Sequence, residues 1–246
     1  MNYYFEDFTR SNYKELIRLA KKKYDFINYK ELKSPSYNKL LWRHDVDISM
    51  HAALKLARIE ADMGVKATYF IYPHSEFYNL FEKVITDILI EIKELGHSIG
   101  LHFDCHYYGI DSEESLQTFL SREAQLFKNI LNIEVEVFSF HNTTHFTQSC
   151  EKESYAGLTN VYSREIRTNY SYCSDSNGYW KYRRLEDFLL DDTIQNAQVL
   201  THPSWWQDEV MPPYQRIQRS VQGRADRVLE EWKKLLKKYG SLNIEE

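Results

Sequence analysis

The sequence predicts an α/β fold in which a parallel sheet alternates with crossover helices, closed as a barrel or left open as a doubly wound sheet. Three observations predict it. Short apolar runs rich in branched and aromatic residues alternate with longer segments of helical period. Gly64, Pro73 and Gly96 punctuate the boundaries between them. Asp45, Asp47, His102, His141 and His202 each fall at the carboxyl end of a predicted strand. Folds of this class collect their chemistry there.

Each element has its own signal. Residues 11–24 read as a helix, with Ser11 as a cap and Leu16, Ile17 and Ala20 on one face. After a loop containing Pro35, Leu40-Leu41-Trp42 reads as a strand running into Arg43-His44-Asp45-Val46-Asp47. Ser49 can cap a helix that stops before Gly64. Val65 to Tyr72 is a buried strand, 77–95 a helix ended by Gly96, and the run to His102 a strand. Asp111 and Glu114 have the spacing of a capping box for a helix through Leu131. Val135 to Phe140 is the next strand, short strands follow near 159–163 and 171–182, and Ala197 to Thr201 is the last. A closing amphipathic helix over 217–239 puts Val221, Val228, Leu229, Trp232, Leu235 and Leu236 on one side.

At 246 residues with 43% hydrophobic content, the chain is long enough for one barrel-sized domain with a full core, spanning 1–246. A net charge of -5 argues against a nucleic-acid partner or a polybasic membrane patch. Cys105, Cys150 and Cys173 are too scattered for a disulfide framework. The first residues lack a basic segment followed by an apolar core, and no apolar run reaches the length of a membrane span, so the expected location is cytoplasmic. The closing helix can pack on its own barrel or on a second copy, which leaves room for an oligomer.

The polar residues at the strand ends suggest hydrolytic chemistry. His102 and His106 lie four apart and can point at one spot through a helix-like turn, which is half of a divalent metal site. Asp45 and Asp47 lie two apart, so one carboxylate can ligate while the other stays free as a base. Such a set of two imidazoles and a carboxylate binds zinc first, with iron, cobalt, nickel or manganese as alternatives. His202 is the natural acid for a leaving group, with Asp175 as the residue to set its charge. His97 and His44 read as structural, Cys105 as a packed thiol, and Trp205 and Trp206 either as a cleft wall or as packing under the last helix.

At this point the chain resembles the polysaccharide deacetylases, the NodB-homology family of carbohydrate esterases. Gly96 to His106 has the family's Gly-His-x-Ile-Gly-x-His-x-x-x-His form, and Arg43-His44-Asp45-Val46-Asp47 stands where its aspartate pair stands. Ala67-Thr68-Tyr69-Phe70 resembles its second strand, and His202 in Val199 to Pro203 resembles its last motif. The resemblance covers residues 40–205. It implies a distorted (β/α) barrel of about seven strands with the N- and C-terminal helices packed outside. It also implies a metal-dependent hydrolase that removes an acyl group, usually acetyl, from an amino sugar. Asp45 would be the base, Asp47, His102 and His106 the metal ligands, and His202 the acid. A cytoplasmic glycan, nucleotide-sugar or lipid-linked precursor fits that reading. A hydrolase of a non-sugar amide and a glycan-binding barrel without turnover are the alternatives. The chain departs from the family at the third motif, where His141 in Phe138 to Asn142 is the substitute for an orienting arginine. Arg43 is a candidate partner for Asp45 or Asp175, and Asp175 with Trp180 stands in for the fourth motif.

Overall fold

A computed structural model describes residues 3–244. Nine strands form one sheet among the described residues: β1 (Asp25–Ile27), β2 (Lys39–Val46), β3 (Thr68–Ile71), β4 (Ser98–Phe103), β5 (Val137–Phe140), β6 (Ser154–Tyr155), β7 (Leu158–Asn160), β8 (Ser171–Ser174) and β9 (Ala197–Thr201). Their order is β6-β7-β5-β4-β3-β2-β9-β8, and β1 adds to β2. Every pairing is parallel except β6 with β7. The sheet curls into a half-barrel with helices outside, the distorted barrel that the motifs imply. The strands beyond the expected seven are the two- and three-residue pieces β6 and β1, too short to show a period in sequence.

The helices are α1 (Arg10–Lys21), α2 (Met50–Asp62), α3 (Lys83–Glu94), α4 (Cys105–Tyr108), α5 (Glu113–Leu131), α6 (His145–Ser149), α7 (Arg164–Asn169), α8 (Leu185–Leu189) and α9 (Pro213–Tyr239). Side chains alternate across each strand, so the sheet separates two cores. Leu40, Trp42, Tyr69, Ile71, Leu101 and Phe138 face the helix layer with the apolar sides of α1, α2, α3 and α5. Leu41, Phe70 and Val137 join Tyr29, Val161 and Ile166 in a smaller cluster on the other face.

Several boundaries differ from the sequence reading. The helix expected from residue 77 begins at Lys83. The preceding segment is held by local bonds instead, with Tyr78 donating its hydroxyl to the Val46 carbonyl at 2.7 Å and Asn79 accepting from the Phe81 amide at 3.0 Å. Ser112, not Asp111, caps α5 by accepting from the Ser115 amide at 3.3 Å. The strand expected over 171–182 ends at Ser174, and a bridge from Ser176 to Tyr179 turns the chain at Gly178. The closing helix is present, but its apolar side faces outward. Its buried residue is Arg216, which donates to the carbonyls of Met211 and Gly178 at 2.7 and 3.1 Å.

One polar cluster lies inside the helix-side core. Glu60 on α2 is fully buried. It accepts from the Tyr69 hydroxyl at 2.6 Å and from Tyr13, and faces His44 Nε2 at 2.6 Å. Burial alone would raise the Glu60 pKa, but His44, His97 and these bonds outweigh it and lower it. His97, as expected, is structural: its Nδ1 accepts from the Ala67 amide at 3.2 Å and its Nε2 meets the Ala57 carbonyl at 2.9 Å. Replacing Glu60 with alanine strands buried hydroxyl and imidazole groups and should cost about 3–5 kcal/mol. Urea denaturation of Glu60→Ala measures it, and a loss under about 1 kcal/mol would show the cluster to be inert.

Candidate active site

The site forms where β2, β4, β5 and β9 end. On β2 alternation puts His44 among the helices and Arg43 and Asp45 on the opposite face, with Asp47 just beyond the strand. Register aligns the neighbours: His44 pairs with Thr201 on β9, and His102 pairs with Ser139 across β4 and β5. His202 follows β9 directly, and His141 follows β5.

Arg43 is completely buried. Its Nη2 donates to Asp45 Oδ2 at 2.8 Å and reaches the Tyr162 hydroxyl at 3.5 Å. The guanidinium lies 5.1 Å from the Phe70 ring and 5.4 Å from the Tyr162 ring. Burial would release its proton, but Asp45 outweighs that and keeps it cationic. Gly100 makes room for Phe70: a Cβ at that position would come within 2.6 Å of the Phe70 ring. The second glycine of the β4 motif thus supports the arginine two strands away.

Asp47 turns away from Arg43 toward the imidazoles. Its Oδ1 lies 3.1 Å from His102 Nε2 and 3.6 Å from His141 Nδ1, and those two nitrogens are 3.1 Å apart. Burial alone would raise the Asp47 pKa, but His102, His141 and His202 hold it well below the usual carboxylate range. Oδ1 itself is buried without a hydrogen bond of its own. Two imidazole nitrogens converging on an unsatisfied carboxylate oxygen make a group of three ligand atoms that could hold a metal ion. Ligands about 2.0–2.1 Å from one divalent ion stand roughly 2.9–3.4 Å apart. Two edges of the triangle match that spacing and the third is a few tenths longer.

Hydrogen bonds and ring contacts behind the triangle orient its members. His102 Nδ1 lies 2.7 Å from Ser139 Oγ, and the Ser139 hydroxyl donates to Asp45 Oδ1 at 3.4 Å. With the Ser139 proton directed to Asp45, Ser139 Oγ can accept from His102 Nδ1, the tautomer that leaves Nε2 free to ligate. The Tyr72 ring stacks on His141 with centroids 4.3 Å apart, and its hydroxyl donates to Asp104 at 2.8 Å.

His106 is placed differently from the expectation. Asp104 caps α4 by accepting the His106 amide at 2.8 Å, and the His106 ring swings outward. Its Nε2 lies 3.1 Å from the Asn142 carbonyl, outside the group formed by Asp47, His102 and His141. His141, read as a substitute for an arginine, stands at the triangle instead, and Arg43 holds Asp45.

His202 and Asp175 meet as the sequence suggests. His202 Nδ1 is 2.5 Å from Asp175 Oδ1, and Asp175 Oδ2 accepts the His202 amide at 2.8 Å. His202 Nε2 points toward Asp47 Oδ2 at 3.7 Å. Burial works against the imidazolium, but Asp175, Asp47 and Asp45 outweigh it and push its pKa up to about 10.

The tryptophans do not line the cleft. Trp180 stacks on Phe8 at 4.8 Å and donates to Asp7 at 2.9 Å. Trp206 is fully buried against Phe8 and Tyr13, and Trp205 is buried beneath Gly178. Large rings here complete the core between the N-terminal segment and the chain after β9. Sequence reasoning passed over Ser139 and Tyr72. Ser139 was visible as the residue sharing a strand face with His141, but Tyr72 carried no signal beyond lying at a strand end.

No protein-family model matches the chain, and no curated protein matches it. The chain is similar in fold to family 4 carbohydrate esterases and deacetylases. One from Bacillus anthracis is 18% identical, with 87% of this chain and 86% of that one covered and a TM-score of 0.44. The catalytic domain of a peptidoglycan N-acetylglucosamine deacetylase from Eubacterium rectale is 15% identical over 78% and 87%, with a TM-score of 0.47. A chitin deacetylase from Colletotrichum lindemuthianum is 14% identical over 75% and 81%, with a TM-score of 0.42. No helix among the described residues is long and apolar enough to cross a membrane.

Two outcomes follow for the metal-free protein. Folded His202 holds its proton more tightly than an unfolded imidazole, which titrates near 6.5. Its stabilisation is complete below about pH 6.5 and is lost as pH rises toward 10. The urea midpoint should fall over that window, and Asp175→Asn should flatten the fall. Ser139→Ala should weaken metal binding by about 10–100-fold without removing a ligand, as read by competition with a chelating dye.

Proposed function

We propose that the chain is a metal-dependent hydrolase that removes an N-acyl group, acetyl by preference, from an amino sugar. One observation carries the reading: a candidate cation triangle lies between a carboxylate held by a buried arginine and an imidazole held by a buried aspartate. Asp47, His102 and His141 would hold the ion. When bound, it supplies Lewis acidity toward the acyl oxygen and toward water.

The protein's own groups divide the proton transfers. Asp45 accepts the proton of the attacking water, and Arg43 keeps its carboxylate oriented. Ser139 bridges Asp45 to His102, so the base and the ligand keep a fixed separation. His202 carries a proton at neutral pH and can give it to the amine as the amide breaks. Asp175 orients that imidazole and stabilises its charge. The sugar half of the proposal comes from the Gly96 to His106 motif and its resemblance to the polysaccharide deacetylases.

Acetate release from a panel of N-acetylated amino sugars and simple acyl amides tests both halves. Activity should need the ion, disappear with a chelator and return when zinc or cobalt is added. Asp45→Asn should lower kcat by about 10²–10⁴-fold while one equivalent of metal stays bound. His102→Ala and His141→Ala should lose the metal, whereas His106→Ala should keep it with weaker affinity. Turnover that ignores the chelator, or full activity in Asp45→Asn, would sink the proposal. Release from simple amides alone would remove the sugar.

A further inference from the structure

The far end of α9 presents an apolar face that the protein's own body does not cover. Helical spacing places Val221, Ala225, Val228, Leu229, Trp232, Leu235, Leu236 and Tyr239 on one stripe about 120° wide. An amphipathic helix on a globular body ordinarily turns such a stripe inward. Here the opposite side and one edge do the docking. Arg216 enters the core, Arg219 bonds Gln207 at 3.2 Å, Arg227 binds Glu82 at 2.8 Å, and Arg224, at the edge of the stripe, binds Glu82 at 2.7 Å. The stripe is left in solvent: Val228 is 47% exposed, Leu229 57%, Trp232 49% and Leu235 51%.

We propose that this face binds the same face of a second copy of the chain, antiparallel, to form a two-fold dimer. The charges bordering the stripe identify the partner. One border runs Arg224, Glu231, Lys238 and the other Asp226, Lys233, each at seven-residue spacing with alternating sign. A helix lying on an anionic lipid surface has basic borders instead. Alternating borders match a partner of the same alternation.

Layer arithmetic then selects a register. Val221, Ala225, Val228, Trp232, Leu235 and Tyr239 alternate at spacings of four and three, as at the a and d positions of a coiled coil. In an antiparallel pair with Trp232 opposite Leu235 of the second copy, Tyr239 falls opposite Val228 and Leu229 opposite Leu236. Glu231 then meets Lys238 twice, once on each side of the dyad. Sliding one helix by a heptad toward fuller overlap brings Glu231 against Glu231 and Arg224 against Lys238, so that register is disfavoured. The arginine anchors to the body lie before residue 228 and the paired layers lie from 228 to 239, so each body sits at its own end.

Sedimentation equilibrium on the full chain tests the proposal. The wild type should weigh twice its 29.5 kDa at micromolar concentrations. Trp232→Glu should be monomeric, with unchanged helical circular dichroism. Glu231→Lys and Lys238→Glu should each weaken self-association by about tenfold or more, since both ion pairs become repulsions. Mixed in equal amounts, the two variants should form a heterodimer as tight as the wild-type dimer, because every border pair is then opposite in sign. A monomeric wild type, or variants that fail to pair when mixed, would overturn the proposal. So would a monomeric wild type that floats with anionic phosphatidylserine vesicles, which would assign the stripe to lipid.

Discussion

The constraint on which the site depends is a pair of opposite charges two residues apart on the central strand. Arg43 and Asp45 are almost wholly removed from water. Burying a guanidinium is expensive, and its partner repays that cost only when the geometry is held. The bond to Asp45 Oδ2 and the Phe70 and Tyr162 ring faces supply that geometry, while Arg43 Nε and Nη1 have no protein partner. With Oδ2 committed to Arg43 and Oδ1 approached by Ser139, the Asp45 carboxylate is fixed in orientation. Asp47, two residues on, is left to turn toward the imidazoles. One strand thereby separates two carboxylates that would otherwise compete for the same proton or the same ion.

The same strand is anchored from behind. His44 projects into the helix layer and joins Glu60, while Thr201 Oγ lies 2.9 Å from His44 Nδ1. This ties β2 to α2 and β9, so the height of Asp45 relative to His202 is set by buried polar bonds as well as by the sheet ladder. The result is a site on rigid elements, with loops supplying only the residues just past each strand end.

Much of this was legible because short buried strands leave compact apolar runs, and the residue that ends each run is conspicuous. Asp45, Asp47, His102, His141 and His202 were all found that way. Strand alternation also reads directly from sequence, which makes Arg43 a neighbour of Asp45. Pairings between distant segments are harder. That Asp175 reaches His202 depends on β8 lying beside β9, which periodicity does not encode. The tryptophans show why aromatic content misleads: a ring's chemistry suits a sugar face and a core equally, and here Phe8 and Tyr13 claim Trp180 and Trp206. In α9 the period announces a helix with an apolar side but carries no information about which side meets the body. Four arginines with partners on the body decide that, through contacts remote in sequence.

The two histidines of the H-x-x-x-H spacing show how a local device changes the role of a residue. Four-residue spacing aligns side chains only when the turn between them continues the geometry of the first residue. His102 is in a strand, and the Asp104 cap starts a new helix with its own axis, so the His106 ring emerges at a different angle. Its Nε2 reaches the Asn142 carbonyl, the peptide next to His141. His106 therefore braces the loop that carries His141, and its effect on an ion would pass through the position of that loop. A brace and a ligand differ in how they fail. Losing a ligand removes one of three donors, while losing a brace leaves all three in place but lets one wander.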